Sequence, residues 1–189
     1  MRKALTAVAL CLPVLVGGCV YTIHPLYEEA DITFDLGLAG TWAEVGSTEK
    51  VQFIPTDDSS YVVILTDEDG NAGRFVGRQF SFEGLTFLDF YPERSENKES
   101  DAYRDHFVPV HSVMTAYRDG SQLELRSLDY ESLEDYLELH DTAVGFTKLE
   151  SSILLTSSTK VLQGFLASFF NTSEAFGETV VLHRLPLGR

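Results

Sequence analysis

The sequence predicts a mainly β chain with α decoration: an antiparallel up-and-down β-barrel of about eight or nine strands, with two short helices in the carboxyl-terminal third. Three observations predict it. Short apolar runs recur from Thr41 to about Leu128 without helical spacing, tight-turn sequences separate them, and helical spacing begins only after Asp129.

The strands follow in order. Val51 and Phe53 alternate with Gln52, Tyr61 to Leu65 is β-branched and aromatic, and Phe75 to Phe82 and Leu85 to Tyr91 carry closely spaced aromatics. Asp69-Gly70-Asn71 and Glu83-Gly84 read as hairpin turns, and Asp119-Gly120 folds a strand from about Phe107 to Tyr117 onto Leu123 to Leu125. The polar stretch from Pro92 to His106 has too little apolar surface to pack and reads as a long loop. Asp129 is placed to cap a helix that carries Leu133, Tyr136, Leu137 and His140 on one face. A second helix runs from about Thr159 to Phe170, with Ser157 or Ser158 as its cap and Val161, Leu162, Phe165, Leu166 and Phe169 as its apolar stripe. Ile153 to Thr156 and Thr179 to Leu185 are closing strands. So many short strands need their edges removed, and closure into a barrel removes them all. Phe80 and Phe82 break parity with Phe75, which suggests a bulge between them.

Arg2 and Lys3 precede an uncharged, mostly apolar run from Ala4 to Val16, and Gly17-Gly18 stand immediately before Cys19. That order is the layout of an export signal, and it is too short to cross a bilayer, which takes about 20 apolar residues. Cys11 follows the bulky Leu10 and fits a small-residue cleavage site poorly. The small residues before Cys19 resemble the lipobox of bacterial lipoproteins, which implies cleavage between Gly18 and Cys19 and acylation of the Cys19 thiol. Val20 stands where lipoproteins kept in the inner membrane of many Gram-negative species carry Asp, so the resemblance implies an outer-membrane location facing the periplasm. The expected organisation is a signal over 1–18, a lipidated cysteine and tether over 19–37, and one domain over 38–189.

Composition narrows the function. Against 14 Lys and Arg stand 29 Asp and Glu, a net charge of −15, and such a surface repels nucleic-acid phosphates. With Cys11 removed and Cys19 acylated no thiol remains for disulfides, thiol catalysis or cysteine metal sites.

Leu38-Ala39-Gly40-Thr41-Trp42 resembles the Gly-x-Trp motif of the lipocalins. In that family the Trp lies across the closed end of the barrel and an Arg stacks over it, a role the resemblance gives to Arg184, although here Arg184 follows the last helix rather than preceding it. More of the chain is similar to a group of small uncharacterised bacterial lipoproteins. The match runs through His24-Pro25-Leu26-Tyr27, Leu38 to Trp42, Thr66 to Gly70, Gly73-Arg74-Phe75, Phe87-Leu88-Asp89, Phe176-Gly177 and Arg184-Leu185-Pro186. It implies a compartment and boundaries, and no activity.

No catalytic constellation stands out, and the chain is expected not to be an enzyme. Ser157-Ser158-Thr159-Lys160 has the Ser-x-x-Lys spacing of penicillin-binding enzymes, but it lacks their Ser-Asp-Asn and Lys-Thr-Gly partners. His24, His106, His111, His140 and His183 include no helical metal pair, and Asp67, Asp69 and Asn71 around Gly70 lack the order of a calcium loop. Asp89, Asp101, Asp105 and His106 offer acid and base groups, unremarkable among so many acids. No cofactor motif is present. Two readings remain: a barrel that binds a small hydrophobic ligand or lipid, and a filled barrel that engages another envelope protein through its outer face or its long loop.

Overall fold

A computed structural model describes residues 19–93, 107–140 and 144–186. The segment expected to be an export signal, with Gly18, and residues 94–106 of the expected loop, with Asp101, Asp105 and His106, lie outside the described residues. Among the described residues no helix is long and apolar enough to cross a membrane.

Twelve strands are described: β1 (Cys19–Thr22), β2 (Ile32–Thr33), β3 (Gly40–Ala43), β4 (Lys50–Pro55), β5 (Tyr61–Thr66), β6 (Ala72–Phe82), β7 (Leu85–Pro92), β8 (His111–Asp119), β9 (Gln122–Ser127), β10 (Phe146–Leu149), β11 (Ser152–Leu155) and β12 (Val180–Arg184). The helices are α1 (Tyr130–Leu139) and α2 (Thr159–Phe169). Strands β3 to β9 pair in sequence, all antiparallel, and β12 closes the ring between β9 and β3. The result is a closed eight-stranded barrel.

Strands β6, β7 and β8 continue past the barrel wall. On the edge of β6 that β5 leaves, β2 pairs with Gln79 and Phe80; on the edge of β8 that β9 leaves, β1 pairs with His111 and Ser112. Parallel pairing of β1 with β11, and antiparallel pairing of β11 with β10, extend the sheet outside the barrel.

The long strands are buried on both faces. One face of β7 and β8 gives Leu88, Phe90 and Met114 to the barrel core, and the other gives Phe87 and Val113 to a second core with Leu133, Leu137, Leu162, Phe165, Leu166 and Phe169 of the helices. The same division explains β6. Phe75 packs with the barrel core, while Phe80 and Phe82 belong to the helix-covered face. Pairing of β6 with β7 runs unbroken from Phe75↔Pro92 to Phe82↔Leu85, so no bulge separates these residues. The parity expected to fail is regular, because alternate residues face two different cores. The two-residue turn between them has Glu83 at φ 49° and Gly84 at φ 75°, the twist a two-residue hairpin requires.

Three further local readings change. Residues 19–37 do not stand off as a tether: β1 and β2 join the sheet, Leu26 is buried, Thr159 donates to the Pro25 carbonyl at 2.8 Å and Gln163 donates to Leu26 O at 2.9 Å. Strand β8 starts at His111, leaving Phe107 and Val108 exposed. Asp129 does cap α1, accepting from the Ser132 amide at 2.8 Å, whereas Ser158 sits at the α2 N-cap without a side-chain bond and Ser157 Oγ accepts from the Gly145 amide at 2.7 Å.

If both faces of β7 are core, neighbouring truncations must both be costly. Phe87→Ala is expected to lower stability by about 3–5 kcal/mol and Leu88→Ala by about 2–5 kcal/mol in urea unfolding. A negligible cost for either residue would show that its face is not packed.

Candidate functional site: the barrel interior and an outer acid–histidine pair

One end of the barrel is closed by the chain entering it. Leu36–Leu38 form a 3-10 turn whose N-cap Asp35 accepts from the Gly37 amide at 2.7 Å, and Leu38 is buried in the barrel core. Tyr61 holds the turn from inside, its hydroxyl donating to Asp35 O at 2.9 Å and accepting from Asp35 N at 3.0 Å, while Phe34 stacks on its ring. Arg118 Nε donates to Asp35 Oδ2 at 2.7 Å, and that bond holds the Asp35 carboxyl below its ordinary 3.8.

Trp42 lies directly above this plug, fully buried, its Nε1 donating to Leu38 O at 2.8 Å. Arg184 is opposite it in register, with its guanidinium carbon 4.3 Å from the Trp42 ring centroid and its terminal nitrogens donating to Ala39 O and Gly37 O. Gly40, at φ 128°, leaves the space: a Cβ there would meet Arg184 Nη1 at 2.7 Å. Gly40, Trp42 and Arg184 therefore form one contact group at the closed end.

Side chains fill the middle of the barrel. Phe53 meets Tyr61 edge-on at 5.8 Å between centroids, Phe90 is 6.4 Å from Phe53, and Leu88, Met114, Leu123 and Leu125 occupy the remainder. Towards the other end the packing stops. A cavity of about 330 Å³ is lined by Trp42, Val51, Leu65, Phe75 and Leu182, and it opens between the β3–β4 loop and the β5–β6 hairpin past Lys50 and Asp67. Asp67 is committed to its own turn, accepting from the Asn71 amide at 2.8 Å and from Asn71 Nδ2 at 3.0 Å. This end offers apolar walls with a polar rim of Glu49, Lys50, Asp67 and Asn71.

A second group sits on the helix-covered face, outside the barrel. Asp89 is 1 % exposed and both its carboxylate oxygens lie near His111 Nδ1, at 2.8 and 3.1 Å. Tyr91 lies 4.5 Å from the His111 ring, and Arg78 is opposite Asp89 in register. Burial raises the Asp89 carboxyl above 3.8 although His111 works against the rise. Burial, with Asp89 second, pushes the Tyr27 hydroxyl to about 12.

The other nominated histidines are scattered. His24 is exposed, His140 stacks on Tyr136 at 4.0 Å, His183 of β12 pairs with Ala43 of β3 and Gln122 of β9, and His106 lies outside the described residues. Among the described residues no group of three or more His, Cys, Asp or Glu is placed to hold a metal ion. Cys19 opens β1 and is half-buried. The pairing of His111 with Asp89 was missed from sequence. An acid inside the run Phe87-Leu88-Asp89-Phe90 was the available signal, since a strand buried on both faces leaves its charge no exit to water.

No protein-family model matches the chain, and neither does a curated protein or a solved structure.

Removing the Arg184 fork is expected to loosen the closed end: Arg184→Ala should lower stability by about 2 kcal/mol. Urea unfolding followed by Trp42 emission measures it, and an unchanged midpoint would remove Arg184 from the account of the plug. Asp89 makes a separate prediction. An acid whose folded pKa exceeds its unfolded one holds its proton longer when folded, so its contribution to stability declines as pH rises between the two values. Relative to Asp89→Asn, wild-type stability is therefore expected to decline as pH rises from 3.8. Parallel stability–pH curves would refute this assignment.

Proposed function

We propose that the protein is a lipid-anchored envelope protein whose barrel binds the apolar part of a small guest above Trp42. The observation that carries the binding reading is the cavity of about 330 Å³, walled by apolar side chains and rimmed by Lys50 and Asp67. That volume is at the lower limit of ligand pockets, which run from roughly 300 Å³ upward. The plug, the Trp42–Arg184 contact and the aromatic layer of Phe53, Tyr61 and Phe90 form a rigid floor, so a guest enters only the upper part.

Anchoring rests on the sequence before the barrel. The positive start, the short apolar run and Gly17-Gly18-Cys19 support cleavage before Cys19 and acylation of its thiol, and Val20 supports the outer membrane over the inner. Two or more acyl chains anchor firmly, at about 0.8 kcal/mol for each buried methylene.

A second reading, an envelope protein that engages a protein partner through its outside, is favoured by how much of the barrel is already filled. The only tryptophan of the chain lines the cavity and separates the two. Titrating the domain with brominated dodecanoic acid is expected to quench Trp42 saturably, and Leu65→Phe, which fills the cavity from its wall, is expected to weaken the apparent affinity by about tenfold, equivalent to 1.4 kcal/mol. Quenching that never saturates, or that Leu65→Phe leaves unchanged, would discard the ligand and favour the partner.

A further inference from the structure

The sheet outside the barrel has two unlike faces. On β1 and β11 the residues Val20, Thr22, Ile153 and Leu155 point to the helical core, and from β10 Lys148 on that same face reaches Glu134 of α1 at 2.9 Å. Alternation turns the intervening residues the other way. Cys19 and Tyr21 of β1, Ser152 and Leu154 of β11, and Thr147 and Leu149 of β10 thus share the opposite face. Every one of them is exposed or half-buried, with Leu149 at 50 % exposure. None carries a charge, in a chain with 29 acidic residues.

The cysteine also has no slack behind it. Its amide donates to Ser151 O at 3.1 Å, and the three residues that follow pair in register with Ile153, Leu154 and Leu155. Whatever is attached to Cys19 therefore leaves the protein on this face. Leu149 is two strands away, about 10 Å at the usual spacing.

We propose that this uncharged face of β1, β11 and β10 lies against the bilayer that holds the anchor, so that the barrel sits on the membrane in one orientation. The inference rests on the acylation of Cys19 proposed above. A free tether would let the domain turn in any direction, whereas an anchor fixed within a strand brings its own face to the headgroups. That face suits them: Tyr21 supplies an aromatic of the kind enriched at membrane interfaces, Leu149 and Leu154 supply apolar area, and no carboxylate on it opposes anionic lipid.

The full chain, processed in cells, tests this through two labelled variants. Leu149→Cys reports from the face, and Val45→Cys reports from the β3–β4 loop at the cavity rim, where Val45 is 85 % exposed. Each is labelled with an environment-sensitive thiol dye and incorporated into vesicles of phosphatidylethanolamine and phosphatidylglycerol with brominated acyl chains, after intact mass has established whether Cys19 is acylated. The expected result is an acylated protein whose dye at position 149 is quenched several-fold more than the dye at position 45. An acylated protein with equal quenching at both positions overturns the membrane-facing surface and leaves the anchor standing. A mass without acyl groups overturns the anchor, and the orientation with it.

Discussion

The structure depends on β6, β7 and β8 being covered on both faces. A barrel strand ordinarily alternates between an apolar interior and water. Here the outer face of the same three strands is the floor of a second core, so Phe87 and Leu88, adjacent in sequence, are buried in different clusters. Two consequences follow. The helices, β1 and β11 have a sheet to pack on only because the long strands run past the barrel wall, and any polar side chain at an outward position of β7 is withdrawn from solvent. Asp89 is in that position. Desolvation of an isolated carboxylate is costly enough that the site needs a partner, and β8 supplies His111 from a position that pairs with β1.

The closed end obeys a different constraint. Residues 34–39 cross the barrel bottom with only one 3-10 turn, and chain outside long helices and sheets leaves carbonyls in need of donors. Arg184 provides several donors in one rigid fork and places its cationic plane over Trp42 at the same time, which a lysine ammonium has no geometry to do. Arg118 ties Asp35 from the solvent side, and Tyr61 ties it from within. With the floor held in three directions and the aromatic layer above it, the interior is divided: packed below, hollow above Trp42.

The barrel strands were legible because most carry β-branched or aromatic residues between turn sequences, and β9 alternates Leu123 and Leu125 after Asp119-Gly120, signals that depend on neighbours in the chain. What depended on distant partners was not. The β1 strand, Cys-Val-Tyr-Thr, is ordinary sequence whose pairing is decided by β8 and β11, more than 80 positions away, so residues 19–37 read as a tether. Strand β10, exposed along its length, has no apolar pattern to announce it. Phe75, Phe80 and Phe82 suggested a bulge because one buried face was assumed, and the second core that makes the alternation regular comes from helices 50 and more residues further on. Within the candidate site, Gly40 and Trp42 attracted attention through a motif, and Arg184 only through what that motif implies. The register that places Arg184 opposite Trp42 leaves no local trace. His111 gave no sign of Asp89 for the same reason.

Charge distribution connects the interior to the proposed anchor. A net charge of −15 opposes approach to an anionic membrane, and repulsion between exposed charges extends over about one Debye length, roughly 8 Å at physiological salt. An anchored domain cannot withdraw beyond that distance when its attachment point is a residue of its own sheet. Under the proposed anchoring the acids would act as an orienting force rather than a detaching one: rotation that brings carboxylates to anionic lipid would cost energy, and rotation that presents Cys19, Tyr21 and Leu149 would not. On that reading the acidic composition and the uncharged face are two parts of one arrangement, in which the anchor supplies proximity and repulsion selects the pose.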